Sequence, residues 1–120
     1  IAQLVGQEKS FVDNVEIEVG YWRKANAIHQ WFVKNIQDGV DDCKNYWVSR
    51  EELRELQSVC NQVLADPTLA PSLLPTQSGF FFGDTQYDEW YLENLELTLE
   101  NIQKALSLPD EWQMYYHSSW

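Results

Sequence analysis

Three segments of this 120-residue chain carry their apolar residues at the spacing of an α-helix. Side chains three or four positions apart gather on one face of a helix, because each residue turns the chain by about 100°. The segments cover residues 19–37, 49–66 and 85–106. Their inner faces comprise Trp22, Ala25, His29, Phe32, Val33 and Ile36 in the first, Leu53, Leu56, Val59, Cys60, Val63 and Leu64 in the second, and Tyr91, Leu95, Thr98, Leu99, Ile102 and Leu106 in the third. The pattern predicts three principal helices.

Capping residues indicate where two of these helices begin. Ser49 and Glu52 have the spacing of a capping box, in which each side chain binds the other residue's backbone N–H. Thr85 and Asp88 give an approximate version of the same signature before the third helix. Pro67 ends the second helix, because a residue before proline is pushed out of the helical conformation.

Strand signals are shorter and more ambiguous. Residues 15–19 alternate between apolar and acidic side chains as a half-buried strand does. The same region also fits helical spacing through Phe11, Val12, Val15, Val19 and Trp22, and we predict helix from Val19 onward. Residues 44–48 and 80–82 are candidates for short strands.

These elements predict one mainly α-helical domain over residues 1–120, with an α+β arrangement as the alternative. A two- or three-stranded β element is expected to be minor. The chain after Pro109 is rich in aromatic residues, namely Trp112, Tyr115, Tyr116 and Trp120. Because so much apolar surface is costly to leave in water, this tail is expected to dock on the domain.

The charge balance excludes several classes of function. The chain has 19 acidic and 8 basic residues, a formal net charge of −11. A protein that binds nucleic acid or an anionic membrane by neutralising phosphates needs the opposite sign. Residues 55–120 alone hold ten acids and one base, Lys104, a balance of −9. We therefore expect an acidic surface over the C-terminal half.

Other compositional features bear on the cellular setting. No run of about 18 apolar residues occurs, so we expect no membrane span. Two cysteines, Cys43 and Cys60, are too few for a disulfide framework in a chain of this size. We therefore predict a reducing, cytoplasmic environment.

Several strings of the sequence resemble one protein family. They are YWRKANAIHQWF at 21–32, QDGVDDC at 37–43, LLPTQSGFFFG at 73–83, YDEWY at 87–91 and YYHSSW at 115–120. Together they resemble a family of small proteins encoded by bacteriophages, prophages and bacteria, over residues 19–120. The family has no established activity, so the resemblance implies a bacterial or phage-infected cytoplasm and nothing about chemistry.

The strongest candidate site is an acidic stripe on the third predicted helix. Glu89, Glu93, Glu96 and Glu100 fall within about 60° of one another on a helix. Successive carboxylates are separated by roughly 5–6 Å along the axis, near the scale of phosphate spacing in a nucleic acid. One interpretation is a solvated face that keeps the protein soluble. The other is an anionic surface for a basic partner, including a mimic of nucleic acid.

Trp90 and Leu97 lie together beside this stripe, seven residues apart. If they are exposed, they form an apolar anchor next to a charged rim, which is how protein–protein interfaces are commonly built. Alternatively, the aromatic tail covers them.

A second candidate site centres on His29, in the middle of the first inner face. A lone histidine in such a place is ordinarily a hydrogen-bonded core residue. The alternative is a general base or ligand in a pocket formed by His29 with Trp22, Asn26, Gln77 and Ser78.

The sequence offers no strong signal for a metal or cofactor, and we predict none. Paired Cys-x-x-Cys and His-Glu-x-x-His motifs are missing. Asp38, Asp41 and Asp42 form a small acidic cluster that lacks the residue order of a calcium loop. Gly79 and Gly83 do not have the spacing of a phosphate-binding loop.

The sequence thus predicts a non-enzymatic acidic binding protein encoded by a phage or bacterium. It would engage a basic host or competitor protein that handles nucleic acid or serves in defence, as an inhibitor or nucleic-acid mimic. The alternatives are a small-ligand-binding protein or enzyme around His29, and a self-assembling structural protein. In the last case Arg23, Lys24, Trp31 and Lys34 would face the acidic helix of another copy.

Overall fold

The computed structural model describes residues 2–9, 14–22, 25–40, 42, 44–76 and 87–118, and leaves the side chains of residues 9, 14 and 15 undescribed. The strands are β1 (Ala2–Lys9), β2 (Asn14–Trp22), β3 (Tyr46–Val48) and β4 (Gln113–Ser118). The helices are α1 (Asn26–Asn35), α2 (Arg50–Ala65), α3 (Ala70–Leu73) and α4 (Glu89–Leu106), with a 3₁₀ turn at Pro67–Leu69.

An antiparallel sheet of four strands, in the order β2-β1-β4-β3, organises the described chain. The C-terminal strand β4 lies between β1 and β3, so the aromatic tail becomes an inner strand of the sheet. The prediction of a mainly α-helical domain with a minor β element is therefore wrong, and the fold is α+β. The candidate strand at residues 80–82 lies outside the described residues.

Part of the error in the sequence prediction arises from β2, where the spacing of apolar residues is misleading. Leu4 pairs with Gly20 and Val5 pairs with Glu18, so Val19 is an extra, bulged residue. Because the bulge interrupts the alternation, Val19 and Trp22 are both buried although they are three residues apart. Two buried residues three positions apart are also typical of one face of a helix. The first helix consequently begins at Asn26 rather than at Val19.

Aromatic side chains fill the space between α1 and the sheet. The rings of Phe32 and Tyr116 stack with centroids 3.8 Å apart and an interplanar angle of 6°. Trp22 packs against both rings, at 5.8 Å from Phe32 and 6.2 Å from Tyr116. All three side chains are buried. The docked tail thus contributes to the core through Tyr116.

The second predicted helix is confirmed. Ser49 accepts a hydrogen bond from the backbone N–H of Glu52, and the Glu52 side chain accepts one from the backbone N–H of Ser49. At the next position, the Arg50 guanidinium donates to the backbone oxygens of Leu106, Pro109 and Trp112. These bonds tie the start of α2 to the turn that leads from α4 into β4.

Candidate functional site

The acidic stripe lies on the outward face of α4. Asp88 caps the helix by accepting from the backbone N–H of Tyr91, so the helix begins four residues after the predicted Thr85, which is outside the described residues. The buried residues of α4 are Tyr91, Asn94, Leu95, Thr98, Asn101, Ile102 and Ala105. At 3.6 residues per turn, the stripe is opposite this buried face. Its members Glu89, Glu93, Glu96 and Glu100 are all exposed.

The four carboxylates form no ion pair with any described residue. Lys104 lies four residues after Glu100, yet the structure places no ion pair between them. Like charges spaced at three and four residues repel by a few tenths of a kcal/mol per pair. The stripe therefore presents unpaired negative charge to its surroundings, and only Glu89, in the first turn, is favoured by the helix dipole.

An aromatic patch adjoins the first turn of α4. Trp90 is 47% exposed and Tyr87 is 42% exposed. Leu97, predicted to stand beside Trp90, is half-buried against the core. Residues 113–118 of the tail belong to the sheet, so this part of the tail leaves Trp90 uncovered. A large exposed ring beside fixed charges is a common anchor in protein–protein interfaces.

Buried hydrogen bonds hold α4 in place beneath this surface. The indole Nε1 of Trp22 donates to Oγ1 of Thr98 over 2.8 Å, and the Tyr91 hydroxyl donates to the backbone oxygen of Leu74 over 2.6 Å. Burial raises the pKa of Tyr91 above its usual value. Asn101 packs directly over Gly20, where a Cβ would lie 2.1 Å from the asparagine Cγ. The glycine therefore allows α4 to approach β2 closely.

The predicted pocket around His29 is part of the core in the described structure. His29 is 1% exposed, and its Nδ1 lies 2.6 Å from the hydroxyl oxygen of Tyr116. Trp22 and Asn26 are also buried. Gln77 and Ser78 lie outside the described residues. The described surroundings therefore give a general base at His29 no route to solvent, and they fit the interpretation as a hydrogen-bonded core residue.

The sheet face that points away from the helices forms a second polar surface, which we call the open sheet face. It comprises Gln3, Val5, Gln7, Glu16, Glu18, Tyr21, Trp47, Gln113, Tyr115 and His117. A shallow cavity of about 460 Å³ lies on it, and its lining includes Gln3, Val5, Gln7, Glu16, Tyr115 and His117. Sequence analysis missed this surface, although Gln3, Val5 and Gln7 alternate with buried neighbours as a strand signal.

Asp42, Tyr46 and Cys60 have local structural surroundings that account for their properties. Both carboxylate oxygens of Asp42 accept from the Tyr46 hydroxyl, at 2.8 and 2.7 Å, and this hydrogen bond raises the pKa of Tyr46. Burial raises the pKa of the Cys60 thiol to about 12, which leaves it protonated and unreactive at neutral pH. Asp41 and Cys43 lie outside the described residues.

The described residues include neither a candidate metal site nor a helix that could span a membrane. They contain no group of three or more His, Cys, Asp or Glu side chains arranged to hold a metal ion. They also contain no helix with both the length and the hydrophobicity needed to cross a membrane.

Comparison with known proteins gives this chain no relative. No family model, curated protein or solved structure matches it. The resemblance to small phage and bacterial proteins therefore stays a prediction.

Proposed function

We propose that this chain is a non-enzymatic binding protein that engages a basic partner protein through the outward face of α4. The observation that carries the proposal is the set of four exposed carboxylates that form no ion pair with a described residue. Within this arrangement only Glu89, in the first turn, is favoured by the helix dipole, and the four like charges repel one another. A cationic surface docked on α4 would relieve this repulsion.

Long-range electrostatics support the same interpretation. Residues 55–120 carry a balance of −9 within a total of −11. A net negative field raises the rate at which a cationic partner is encountered, and salt screens that effect. Specific affinity then requires an apolar contact. Trp90, 47% exposed beside Glu89 and Glu93, supplies it.

The partner class follows from the spacing of the charges. Neighbouring carboxylates of the stripe are about 5–6 Å apart along the helix axis, comparable with phosphates along a nucleic-acid strand. A protein whose natural ligand is nucleic acid presents Lys and Arg at a matching spacing. We therefore propose a nucleic-acid-handling or defence protein of a bacterial host or competitor as the partner, with this chain as its inhibitor.

A capture experiment with matched charge variants tests the proposal. The wild type and Glu93→Gln/Glu96→Gln are immobilised and exposed to bacterial lysate at low salt, and each captured protein is purified and its Kd measured. Glu51→Gln/Glu55→Gln is the control, because it removes the same charge from exposed positions on α2. The α4 variant is expected to weaken binding at least about tenfold, and the control about twofold or less.

Trp90→Ala separates apolar anchoring from electrostatics. Loss of the exposed ring is expected to speed dissociation while the association rate stays near the wild-type value, since no charge changes. Recovery of no basic protein at low salt would contradict the proposal. Equal affinity of the wild type and Glu93→Gln/Glu96→Gln for the captured protein would contradict it as well.

A further inference from the structure

The open sheet face lies on the side of the sheet opposite the helices, so it is a surface distinct from α4. Its centre is Val5, an apolar residue on β1. Val5 pairs with Glu18 of β2 on one side and with Tyr115 of β4 on the other. Strands lie about 4.8 Å apart, so Glu18 and Tyr115 stand roughly 10 Å apart across Val5. That gap can accept one flat group resting on the valine.

The side-chain amide groups of Gln3 and Gln7 already donate to carboxylates within this face. Nε2 of Gln3 donates to Glu18 over 2.9 Å, and Nε2 of Gln7 donates to Glu16 over 2.7 Å. These bonds fix the positions of both carboxylates. Each carboxylate has about four acceptor sites, so most of these sites stay unused. The amide oxygens of Gln3 and Gln7 are acceptors as well. This part of the face, with two carboxylates and two amide oxygens, therefore favours a ligand that is rich in donors.

The same face carries negative charge and aromatic rings together. Glu16 and Glu18 are exposed, and no described side chain of the open sheet face is a lysine or arginine. Trp47, 55% exposed, pairs across strands with Tyr115, and its Nε1 donates to Gln113 over 2.6 Å. Aromatic ring faces attract cations within about 6 Å of the ring centroid. Acceptors, negative charge and ring faces all select the same kind of ligand.

We propose that the open sheet face binds the guanidinium group of an arginine side chain on a partner polypeptide. The guanidinium lies flat on Val5, donates to Glu16 and Glu18 from one edge, and directs its opposite edge toward the ring of Tyr115. Arginine fits better than lysine because its planar group offers five donors and reaches the carboxylates and the ring from opposite edges, whereas an ammonium is a compact and strongly hydrated charge.

Titration with small probes, followed by two-dimensional ¹H–¹⁵N NMR of the whole chain, tests the proposal. The probes are Nα-acetyl-arginine amide, Nα-acetyl-lysine amide and the neutral isostere Nα-acetyl-citrulline amide. The arginine probe is expected to shift the backbone resonances of Val5, Tyr115 and His117 and the indole resonance of Trp47 in a saturable way. The lysine probe is expected to bind several-fold more weakly, and the citrulline probe to cause no saturable shift.

Charge variants localise the effect. Glu16→Gln/Glu18→Gln keeps acceptors for Gln3 and Gln7 and is expected to weaken the arginine probe about tenfold. Tyr115→Leu keeps both carboxylates, removes the ring beside Val5, and is expected to weaken it about threefold. Glu93→Gln/Glu96→Gln, which removes the same charge from α4, is expected to leave its binding unchanged. That variant separates this proposal from the one about α4, so each can fail alone.

Several results would overturn the guanidinium site. Saturable shifts confined to α4 would place the probe elsewhere, and equal affinity for the arginine and lysine probes would show a non-selective cation effect. Equal binding of the citrulline probe would point to a neutral ligand. Unchanged binding after Glu16→Gln/Glu18→Gln would remove the carboxylates from the site.

Discussion

The two faces of α4 differ in whether their polar groups have partners within the protein. On the inner face, Tyr91, Thr98 and Asn101 each form a hydrogen bond to a described residue. On the outer face, the four glutamates form no ion pair with a described residue. Buried polar groups are costly unless they are paired, so the inner bonds fix the position of the helix. The charges on the outer face add little to the stability of the fold. This face is therefore free to contact a partner.

The largest loss of stability is expected when an apolar residue of the inner face is truncated. Leu95 is fully buried, so Leu95→Ala is expected to lower the free energy of unfolding by about 2–5 kcal/mol through lost burial and a residual cavity. Urea denaturation measures this change. Leu97→Ala, at a half-buried position on the flank of the same helix, is the control and should cost clearly less. Equal costs would show that the two faces do not differ as described.

The second-largest loss of stability is expected from a substitution at the close approach of α4 to β2. A methyl group at position 20 would collide with Asn101, so Gly20→Ala is expected to lower the free energy of unfolding by about 1–3 kcal/mol. Asn101→Ala removes the colliding carboxamide. In the double variant, part of the loss from Gly20→Ala should be recovered, as a double-mutant cycle would show. A strictly additive cycle would contradict the contact.

The buried hydroxyl of Tyr91 should make the stability of the fold depend on pH in the alkaline range. Its pKa in the folded protein lies above the ordinary value of 10.0, so its contribution to stability is complete below pH 10 and is lost as the pH rises further. Between pH 10 and 11 the wild type should lose about 1 kcal/mol more than Tyr91→Phe does, because the phenol of the unfolded chain ionises first. Denaturation series at both pH values measure the difference, and identical losses would contradict it.

The smallest effect on stability should come from the outer face. Glu93→Gln/Glu96→Gln is expected to change the free energy of unfolding by less than about 0.5 kcal/mol, or to raise it slightly, since it removes repulsion. Thermal and urea denaturation both test this expectation. A loss above about 1 kcal/mol would mean that these carboxylates support the fold, and it would sharply weaken their assignment to a partner.

The helices with strong local signals could be predicted from the sequence. The capping box of Ser49 and Glu52 is written within four residues, and the buried and outward faces of α4 follow from its periodicity. The strand β2 could not be assigned, because the bulge at Val19 replaces alternation with helix-like spacing. A bulge depends on pairing with β1, which is information that a local pattern does not carry.

The candidate sites also differ in whether their residues lie close together along the chain. The stripe on α4 lies within one helix, so four positions in the sequence were enough to find it. The open sheet face joins Val5 to Tyr115, which are brought together only because β4 inserts between β1 and β3. Long-range pairing of this kind cannot be inferred from spacing along the chain. His29 lies between these cases, because its inner position was predictable and its bond to Tyr116 was not.

Association kinetics test the central claim about α4 most directly. The rate constant for binding the captured basic partner is measured by stopped flow from low to physiological salt, for the wild type and both charge variants. We expect the wild-type rate to fall steeply with salt, and Glu93→Gln/Glu96→Gln to lower both the rate at low salt and the slope, while Glu51→Gln/Glu55→Gln changes neither substantially. Equal rates and slopes for all three proteins would contradict the account.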